Sequence, residues 1–136
     1  MFTKEIELRI RYAETDRMGY AYYGNYATYF EVARVEAMRA LGMSYKDIED
    51  SGVILPVKEF SVRYKKPAFY DDNITIKVTI KEVPKFRFGF HYETRNDKRE
   101  VLNTAFTELV FVNKQTGRPM VIPENLRLLF KPYFNT

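Results

Sequence analysis

One carboxylate lies shortly before a long helical segment, and that combination favours chemistry on a carbonyl group. Asp16 precedes Tyr23 by seven residues, on a loop that can fold back over the helix start. The first backbone N–H groups of a helix lack partners inside it, and the helix dipole places positive potential there. The amides of Tyr23 and Gly24 can therefore stabilise an oxyanion, while Asp16 acts as a general base or as a nucleophile. The residues themselves do not choose between those two roles.

Other residues near Asp16 have plainer interpretations. An acid before a helix is often a cap or a solvated loop charge, and that alternative applies to Asp16 itself. Glu14 is the rival carboxylate, which we predict to be solvated. Glu31 lies on the helix and is expected to form a surface ion pair with Arg34. Tyr12 either hydrogen-bonds the acid or the substrate, or packs at the end of a strand.

Histidine and cysteine residues do not supply a metal site. His91 is the single histidine, and the chain has no cysteine, whereas zinc sites use several such ligands. We predict neither a metal nor a cofactor, and we place His91 on the polar side of a strand. Basic pairs occur at Lys65 and Lys66 and at Lys85 and Arg87. Each pair is either an anion-binding group or a solvated strand edge.

The helix that begins beside the two amides is predicted from about Tyr26 to Leu41. Asn25 is a favoured N-cap, and Gly42 is a favoured residue for ending a helix. Apolar residues recur between them at helical spacing, and others fall outside that stripe. This distribution predicts burial on more than one side, which a curled sheet provides better than a flat one. A second short helix is predicted for residues 44–50.

Alternation of apolar and polar residues predicts strands over most of the remaining chain. Pro56 interrupts one of these segments, which indicates an edge strand or a bulge. The extended segments are residues 4–12, 53–65, 74–81, 86–92 and 101–113. One dominant helix with about five antiparallel strands predicts an α+β fold in which the sheet wraps around the helix.

Composition limits the remaining classes of protein. A chain of 136 residues is long enough for one domain, residues 1–136, with a single core. The absence of cysteine implies no disulfide framework, and no apolar run approaches the length of a membrane span. We therefore expect a cytoplasmic protein without a membrane span. The formal charge of +4 is spread along the chain without a nucleic-acid motif, so nucleic acid is not an expected partner.

The segment from Tyr12 to Arg34, YAETDRMGYAYYGNYATYFEVAR, resembles the signature of a known enzyme family. That family comprises the hotdog-fold thioesterases of the 4-hydroxybenzoyl-CoA thioesterase type, including the acyl-CoA thioesterases linked to the Tol-Pal system. Its members carry Y-x-D-T-D-x-x-G-x-V-Y-H-x-N-Y followed by F-x-x-A-R. The segments ALGMSYKDIEDSG and VRYKKPAFYDDNITIKV are also similar to family segments, so the resemblance covers about residues 4–115.

The resemblance implies a hotdog fold and the hydrolysis of an acyl-CoA to the free acid and coenzyme A. It implies a homodimer at minimum, with homotetramers common, and active sites at the dimer interface. Carried over by position, the family's catalytic aspartate falls on Asp16 and its nearby tyrosine on Tyr12. The family's helix N-terminus falls on Tyr23, Gly24 and Asn25.

Substrate contacts and one departure also follow from the resemblance. Lys85 and Arg87 lie near the place where family members hold the phosphates of coenzyme A, and Lys65 belongs to another basic cluster. Tyr22 either lines an acyl tunnel or fills space. The family histidine before the Asn-Tyr pair is Tyr23 here. This departure keeps open a second hypothesis, a non-catalytic hotdog protein that binds an acyl-CoA or an acyl carrier protein. A hydratase needs an Asp–His pair and therefore ranks below the thioesterase and the binding protein.

Overall fold

The main sheet has five antiparallel strands, as the alternating segments predict. The computed structural model describes residues 1–134. The strand order is β1-β4-β5-β6-β3, and a separate two-stranded ribbon joins β2 to β7. The strands are β1 (Phe2–Arg9), β2 (Val53–Ile54), β3 (Val57–Tyr64), β4 (Asn73–Ile80), β5 (Arg87–Arg95), β6 (Val101–Val110) and β7 (Val112–Asn113).

The central helix, α1, runs from Tyr26 to Leu41, as predicted. Its buried side includes Phe30, Ala33 and Met38, each with no exposed surface. These side chains pack on the inner face of the sheet, where the strand residues of one parity are buried while their neighbours are not. The α+β architecture with a sheet around one helix is therefore confirmed. Two short helices complete it, α2 (Tyr45–Asp50) and α3 (Glu124–Arg127).

Arg34 is buried, which corrects its expected place on the polar side of α1. Only 7% of its surface is exposed. Its guanidinium donates hydrogen bonds to the Tyr45 and Tyr92 hydroxyls at 3.0 and 3.2 Å. It forms no ion pair with Glu31, which is exposed on the same helix. Two phenols from α2 and β5 therefore solvate this cation, and they tie the helix to the sheet.

The predicted glycine at the end of α1 is confirmed. Gly42 has a φ of 99°, and its N–H donates to the Arg39 carbonyl at 3.0 Å, while the Met43 N–H reaches the Met38 carbonyl at 3.0 Å. This pattern belongs to a helix that ends on a left-handed residue. A Cβ at this position would meet only Leu129, at an ordinary distance of 3.7 Å. The demand for glycine is thus one of backbone conformation rather than of space.

We expect Gly42→Ala to lower the free energy of unfolding by about 1–2 kcal/mol, because the Cβ of alanine is sterically disfavoured in the left-handed backbone conformation. Gly42→Asn should cost less, since asparagine tolerates this conformation. Urea unfolding at one fixed protein concentration measures both variants. Equal losses for alanine and asparagine would contradict the conformational explanation.

Strand β3 lies at the sheet edge and leaves its inner face partly uncovered. Pro56 precedes it, and its register shifts between Val57 and Glu59, so the edge or bulge predicted from the proline is confirmed. Phe60 and Tyr64 remain 42% and 50% exposed, although the rings of both contact α1. Phe60 reaches Phe30, with the ring centroids 6.0 Å apart. The edge therefore presents apolar surface and unpaired backbone groups together.

Two further findings concern the part of the chain that the structure describes. Over residues 1–134, no helix is long and apolar enough to cross a membrane. Among the same residues, no group of three or more histidine, cysteine, aspartate or glutamate side chains is arranged to hold a metal ion.

Candidate active site

Asp16 is held in a tight loop between β1 and α1. Its Oδ1 accepts hydrogen bonds from the N–H groups of Met18, at 2.9 Å, and Tyr20, at 3.1 Å. Its own N–H donates to the Tyr20 carbonyl at 2.8 Å. Among residues 1–134, no Lys or Arg forms an ion pair with this carboxylate, and Oδ2 has no hydrogen-bond partner. One carboxylate oxygen is thus fixed by the loop while the other stays free to take a proton.

The start of α1 is extended by a single 3-10 turn, Tyr23–Asn25. The Asn25 N–H donates to the Tyr22 carbonyl at 3.0 Å, and the Tyr26 N–H donates to the Tyr23 carbonyl. No acceptor within residues 1–134 pairs with the N–H groups of Tyr23 and Gly24. These are the two amides that the sequence nominates for an oxyanion, and the fold leaves them unpaired.

Asn25 does not cap the helix, which corrects the prediction made from its type. Its backbone is already helical, with φ −72° and ψ −20°, and its side chain accepts no cap hydrogen bond. Instead its Nδ2 donates to the Glu14 carbonyl at 2.8 Å, and the Tyr22 N–H donates to the same oxygen at 2.8 Å. The preceding 3-10 turn has displaced the cap position. Asn25 therefore fastens the acid-bearing loop to the helix start.

Glu14 is not a solvated charge, contrary to expectation. Its side chain is only 14% exposed and pairs with the Arg11 guanidinium at 2.8 Å. The Arg11 N–H and the Tyr29 hydroxyl donate to its other oxygen at 2.9 and 3.1 Å. Burial alone would raise the pKa of Glu14, but these hydrogen bonds together hold that pKa below its usual value. Glu14 is thus committed to structure and is not a free base.

We expect Glu14→Gln to lower the free energy of unfolding at pH 7 by about 1–3 kcal/mol, since charge-assisted hydrogen bonds are lost. A carboxyl whose folded pKa is depressed stabilises the fold above its unfolded pKa of about 4.3. That contribution disappears as the pH falls through the lower folded value. The stabilities of wild type and variant should therefore converge in acid. Parallel stability curves from pH 7 to acid would contradict this assignment.

A pocket of about 280 Å³ opens between the Asp16 loop, the start of α1 and the turn after β3. Asp16 and Tyr23 line the same pocket, together with Tyr26 and Tyr64. The Tyr26 and Tyr64 rings lie edge to face, 5.7 Å apart. The other residues that line the pocket are Met18, Tyr20, Ala21, Lys65, Lys66, Pro67 and Ala68. A carboxylate, a helix start and an aromatic wall therefore meet in one cavity.

Polar groups lie buried behind the aromatic wall. Burial raises the pKa of Tyr26 to about 12. Tyr64 and Asp72 add smaller effects in the same direction, and the neighbouring Asn103 amide opposes them. Tyr26 therefore keeps its proton at neutral pH. The side chains of Asn103 and Thr94 are fully buried on adjacent strands, without a partner of full hydrogen-bond geometry among residues 1–134. This part of the core beneath the pocket is polar.

The remaining predicted site residues are distributed unevenly. Tyr12 is not at a strand end; it begins a 3-10 turn, is 78% exposed and contacts Tyr70 outside the pocket. Tyr22 packs against the Tyr23 ring, with the centroids 4.8 Å apart, and does not line the pocket.

The predicted cations Lys85 and Arg87 do not line the pocket either. Arg87 is the first residue of β5, and its guanidinium lies 3.7 Å from the Glu108 carboxylate. The opposite end of β5 is the one that lies near the pocket. Within one chain, the predicted cations that line the pocket are therefore Lys65 and its neighbour Lys66.

Tyr26 and Tyr64 are pocket residues that the sequence analysis did not nominate. Tyr26 fits the apolar helix stripe and Tyr64 the alternation of a strand, so each looks like an ordinary core residue. The available signal was the turn KKPAF, which follows Tyr64 directly and brings Ala68 back to accept the Ala21 N–H at 2.7 Å. That contact places the end of β3 beside the helix start.

Comparison with known proteins places this arrangement in a family. The model of the thioesterase-like superfamily matches residues 10–130. A candidate acyl-CoA thioesterase of Bacillus subtilis, YneP, is 32% identical over 120 residues, which is 88% of this chain and 87% of that protein. The acyl-CoA thioester hydrolase YbgC of Escherichia coli is 27% identical over 124 residues, covering 91% of this chain and 92% of that protein.

A solved structure agrees in both fold and sequence. The DHNA-CoA thioesterase of Staphylococcus aureus superposes with a TM-score of 0.84 at 39% identity, covering 98% of this chain and 85% of that one. This chain therefore belongs to the thioesterase-like superfamily and is a thioester hydrolase of the hotdog fold.

Proposed function

We propose that the protein hydrolyses an acyl-CoA, with Asp16 activating water or attacking the thioester and the Tyr23 and Gly24 amides stabilising the oxyanion. The observation that carries the proposal is the shared pocket. Asp16 and Tyr23 line one cavity of about 280 Å³, and Gly24 follows Tyr23 without lining it. Within residues 1–134 the Asp16 carboxylate has no ion-pair partner and the Tyr23 and Gly24 N–H groups have no acceptor.

The oxyanion site needs no histidine in this arrangement. A thioester carbonyl gains negative charge when it is attacked, and preorganised N–H groups lower the energy of that state. The helix dipole adds to the field at the same point. Backbone N–H groups serve equally well from tyrosine or histidine, so Tyr23 in place of the family histidine is compatible with hydrolysis.

Asp16 suits the role of base because the loop fixes its orientation without neutralising it. Hydrogen bonds from Met18 and Tyr20 hold Oδ1, and Oδ2 remains available. As a general base, Oδ2 takes a proton from water while the water oxygen bonds to the carbonyl carbon. The C–S bond then breaks, and the thiolate of coenzyme A leaves. As a nucleophile, Asp16 would instead form an anhydride that water opens in a second step.

The substrate is proposed from chemistry and from the relatives' names. YneP, YbgC and the Staphylococcus aureus enzyme are named for acyl-CoA or DHNA-CoA substrates. The aromatic wall of Tyr26 and Tyr64 suits an apolar or aromatic acyl group. Lys65 at the pocket rim offers a cation for a phosphate. Lys66 is less available, because it pairs with Glu100.

The test is release of free thiol from a panel of aliphatic and aromatic acyl-CoA substrates. The proposal expects turnover of at least one of them. Measurable binding of acyl-CoA without turnover across the panel would favour the non-catalytic alternative, a hotdog protein that holds an acyl-CoA or an acyl carrier protein. Comparing acyl-CoA with the same acyl group on a carrier protein separates those two partners.

We propose further that the working unit is a homodimer at minimum, in which the β3 edges of two chains pair; a homotetramer would add a second such unit. Support comes from the partly uncovered inner face of β3 and its unpaired edge. Pairing would also bring a partner's residues to the neighbourhood of Tyr64, which lines the pocket.

Light scattering should give a mass at least twice the 16.2 kDa of one chain. Phe60→Lys should weaken association, because it places a charge on apolar surface that pairing buries. Leu128→Lys is the matched control, since Leu128 is similarly exposed, at 49% against 42%, and lines a surface hollow with Val83, Arg127 and Lys131, none of which belongs to β3. A wild-type protein that stays monomeric at micromolar concentration would refute the dimer.

A further inference from the structure

A second cavity lies on the outer face of the sheet, opposite α1. Its volume is about 420 Å³, and its lining residues come from β3, β5 and β6 and from β4 with the residue that follows it. Except for Tyr92 and Ala105, they belong to the strand parity that points away from the buried core. We call it the outer hollow; its cationic and aromatic residues are Arg63, Lys77, Lys81, His91 and Phe106. No residue of the Asp16 pocket lines it.

The outer hollow carries positive charge that acidic neighbours only partly offset. Arg63, Lys77 and Lys81 are exposed, and within residues 1–134 none of them forms an ion pair. The one acid that lines the hollow, Glu93, is paired with Arg95 at 2.7 Å. Strand register places Glu5 and Glu93 on either side of Lys77, and Glu82 follows Lys81 in sequence. Unpaired cations grouped over a concave surface attract a multiply charged anion.

One wall of the hollow is aromatic and is formed by Phe106 and His91. The Phe106 ring lies across Gly89, where a Cβ would come within 3.2 Å of it. His91 is the cross-strand partner of Phe106, with the ring centroids 4.8 Å apart and the ring planes tilted by 44°. The floor between this wall and the cations is formed by small polar residues, Ser61, Thr79 and Thr104. A planar group can therefore stack on the ring while hydroxyl groups remain available for hydrogen bonds.

We infer that the outer hollow binds a nucleotide, with its phosphates on Arg63, Lys77 and Lys81 and its base on the Phe106 and His91 wall. A nucleoside diphosphate combines the two properties the hollow matches, a compact polyanion and an adjoining planar ring. The sheet separates this site from the Asp16 pocket, so binding there does not depend on the proposed hydrolysis.

His91 provides a direct readout because it is the only histidine in the chain. Burial lowers the pKa of His91, and the nearby Lys81 lowers it further, while Glu82 opposes them. A bound phosphate next to the ring would favour the imidazolium and raise that pKa. The His91 resonances in an NMR titration of the full chain therefore report occupancy, with or without catalysis.

The experiment titrates ADP and, separately, pyrophosphate into the protein at fixed low salt. We expect saturable shifts of the His91 resonances with both ligands. The double variant Lys77→Gln with Lys81→Gln should weaken ADP at least tenfold. Phe106→Ala should weaken the binding of ADP several-fold more than the binding of pyrophosphate, because only ADP has a base that can stack on the ring. Asp16→Asn should leave ADP binding unchanged, which separates this hollow from the thioester pocket.

Several results would overturn the inference. One is the absence of any saturable His91 shift up to millimolar ADP. Another is a His91 shift that depends on protein concentration and not on ADP, which would mean that a second copy of the chain covers this face. A third is an equal loss of ADP and pyrophosphate affinity in Phe106→Ala. That result would mean that the base is not bound and that the hollow recognises phosphate alone.

Discussion

Replacing Asp16 with asparagine lowers kcat for thioester hydrolysis by about 10²–10⁴-fold if this carboxylate is the base, which is the usual contribution of general base catalysis. Asparagine cannot accept the proton of the attacking water, nor can it serve as a carboxylate nucleophile. The KM should change little, because the apolar wall that holds the acyl group is untouched. Thiol release with the best substrate of the panel measures both constants.

The variant is expected to keep the loop intact, and the chain itself contains the reason. Asn96 already holds the same kind of turn, its Oδ1 accepting from the N–H groups two and four residues later, each at 3.0 Å. Asp16 uses its Oδ1 in the same way. An amide at position 16 should therefore preserve these hydrogen bonds.

Asp47→Asn is a matched control, since Asp47 is an exposed acid in α2, away from the pocket. It should retain wild-type kcat and KM. If Asp16→Asn keeps the wild-type rate on a substrate that the wild type hydrolyses, the catalytic assignment is wrong. A loss of rate with an unchanged unfolding curve would exclude misfolding as its cause.

Removing the Tyr23 amide hydrogen lowers kcat by about 10²–10³-fold if this amide binds the oxyanion. Tyr23→Pro removes the N–H group, and Tyr23→Ala keeps it, while both variants lose the phenol. The ratio of their rates therefore isolates the amide from the side chain. The predicted ratio of kcat is about 10²–10³ in favour of alanine.

The local backbone accepts proline at this position. Tyr23 is the first residue of its 3-10 turn, and proline is favoured at the first position of a helix, where its missing N–H costs nothing. The preceding Tyr22 has ψ 130°, which is the conformation that a following proline requires. The helix should therefore form in both variants, as circular dichroism can verify. Equal activity of the proline and alanine variants would exclude the Tyr23 N–H from the oxyanion site.

Elements of regular structure were accessible from the sequence because they depend on neighbouring residues. Helical periodicity and Gly42 defined α1 from Tyr26 to Leu41, as observed. Alternation defined the strands, and Pro56 marked the edge strand. The pairing of Asp16 with the helix start was also nominated from local spacing, and both line one pocket. These inferences need only the periods of helix and strand and the geometry of a helix terminus.

The errors concern polar residues whose partners lie far away in sequence or on another element. Arg34 fits a solvent-facing helix position, yet Tyr92, 58 residues later, draws it into the core. Glu14 fits a loop charge, yet Tyr29 and Arg11 enclose it. Asn25 fits a cap, yet it donates to the loop because a 3-10 turn precedes it. Residue type alone cannot indicate which of several possible hydrogen-bond partners will be present.

The sequence by itself determined the helix and the strands, because each follows from side-chain type and short-range spacing, and it nominated Asp16 as the acid of the proposed reaction. Only the tertiary structure decided which walls face Asp16, since Tyr64 reaches the pocket through strand pairing with Asn103 and the return of the chain at Ala68. It also decided that Lys85 and Arg87 lie away from that pocket in the same chain. Strand order sets these distances, and the order β1-β4-β5-β6-β3 is fixed by how the apolar faces pack together around α1.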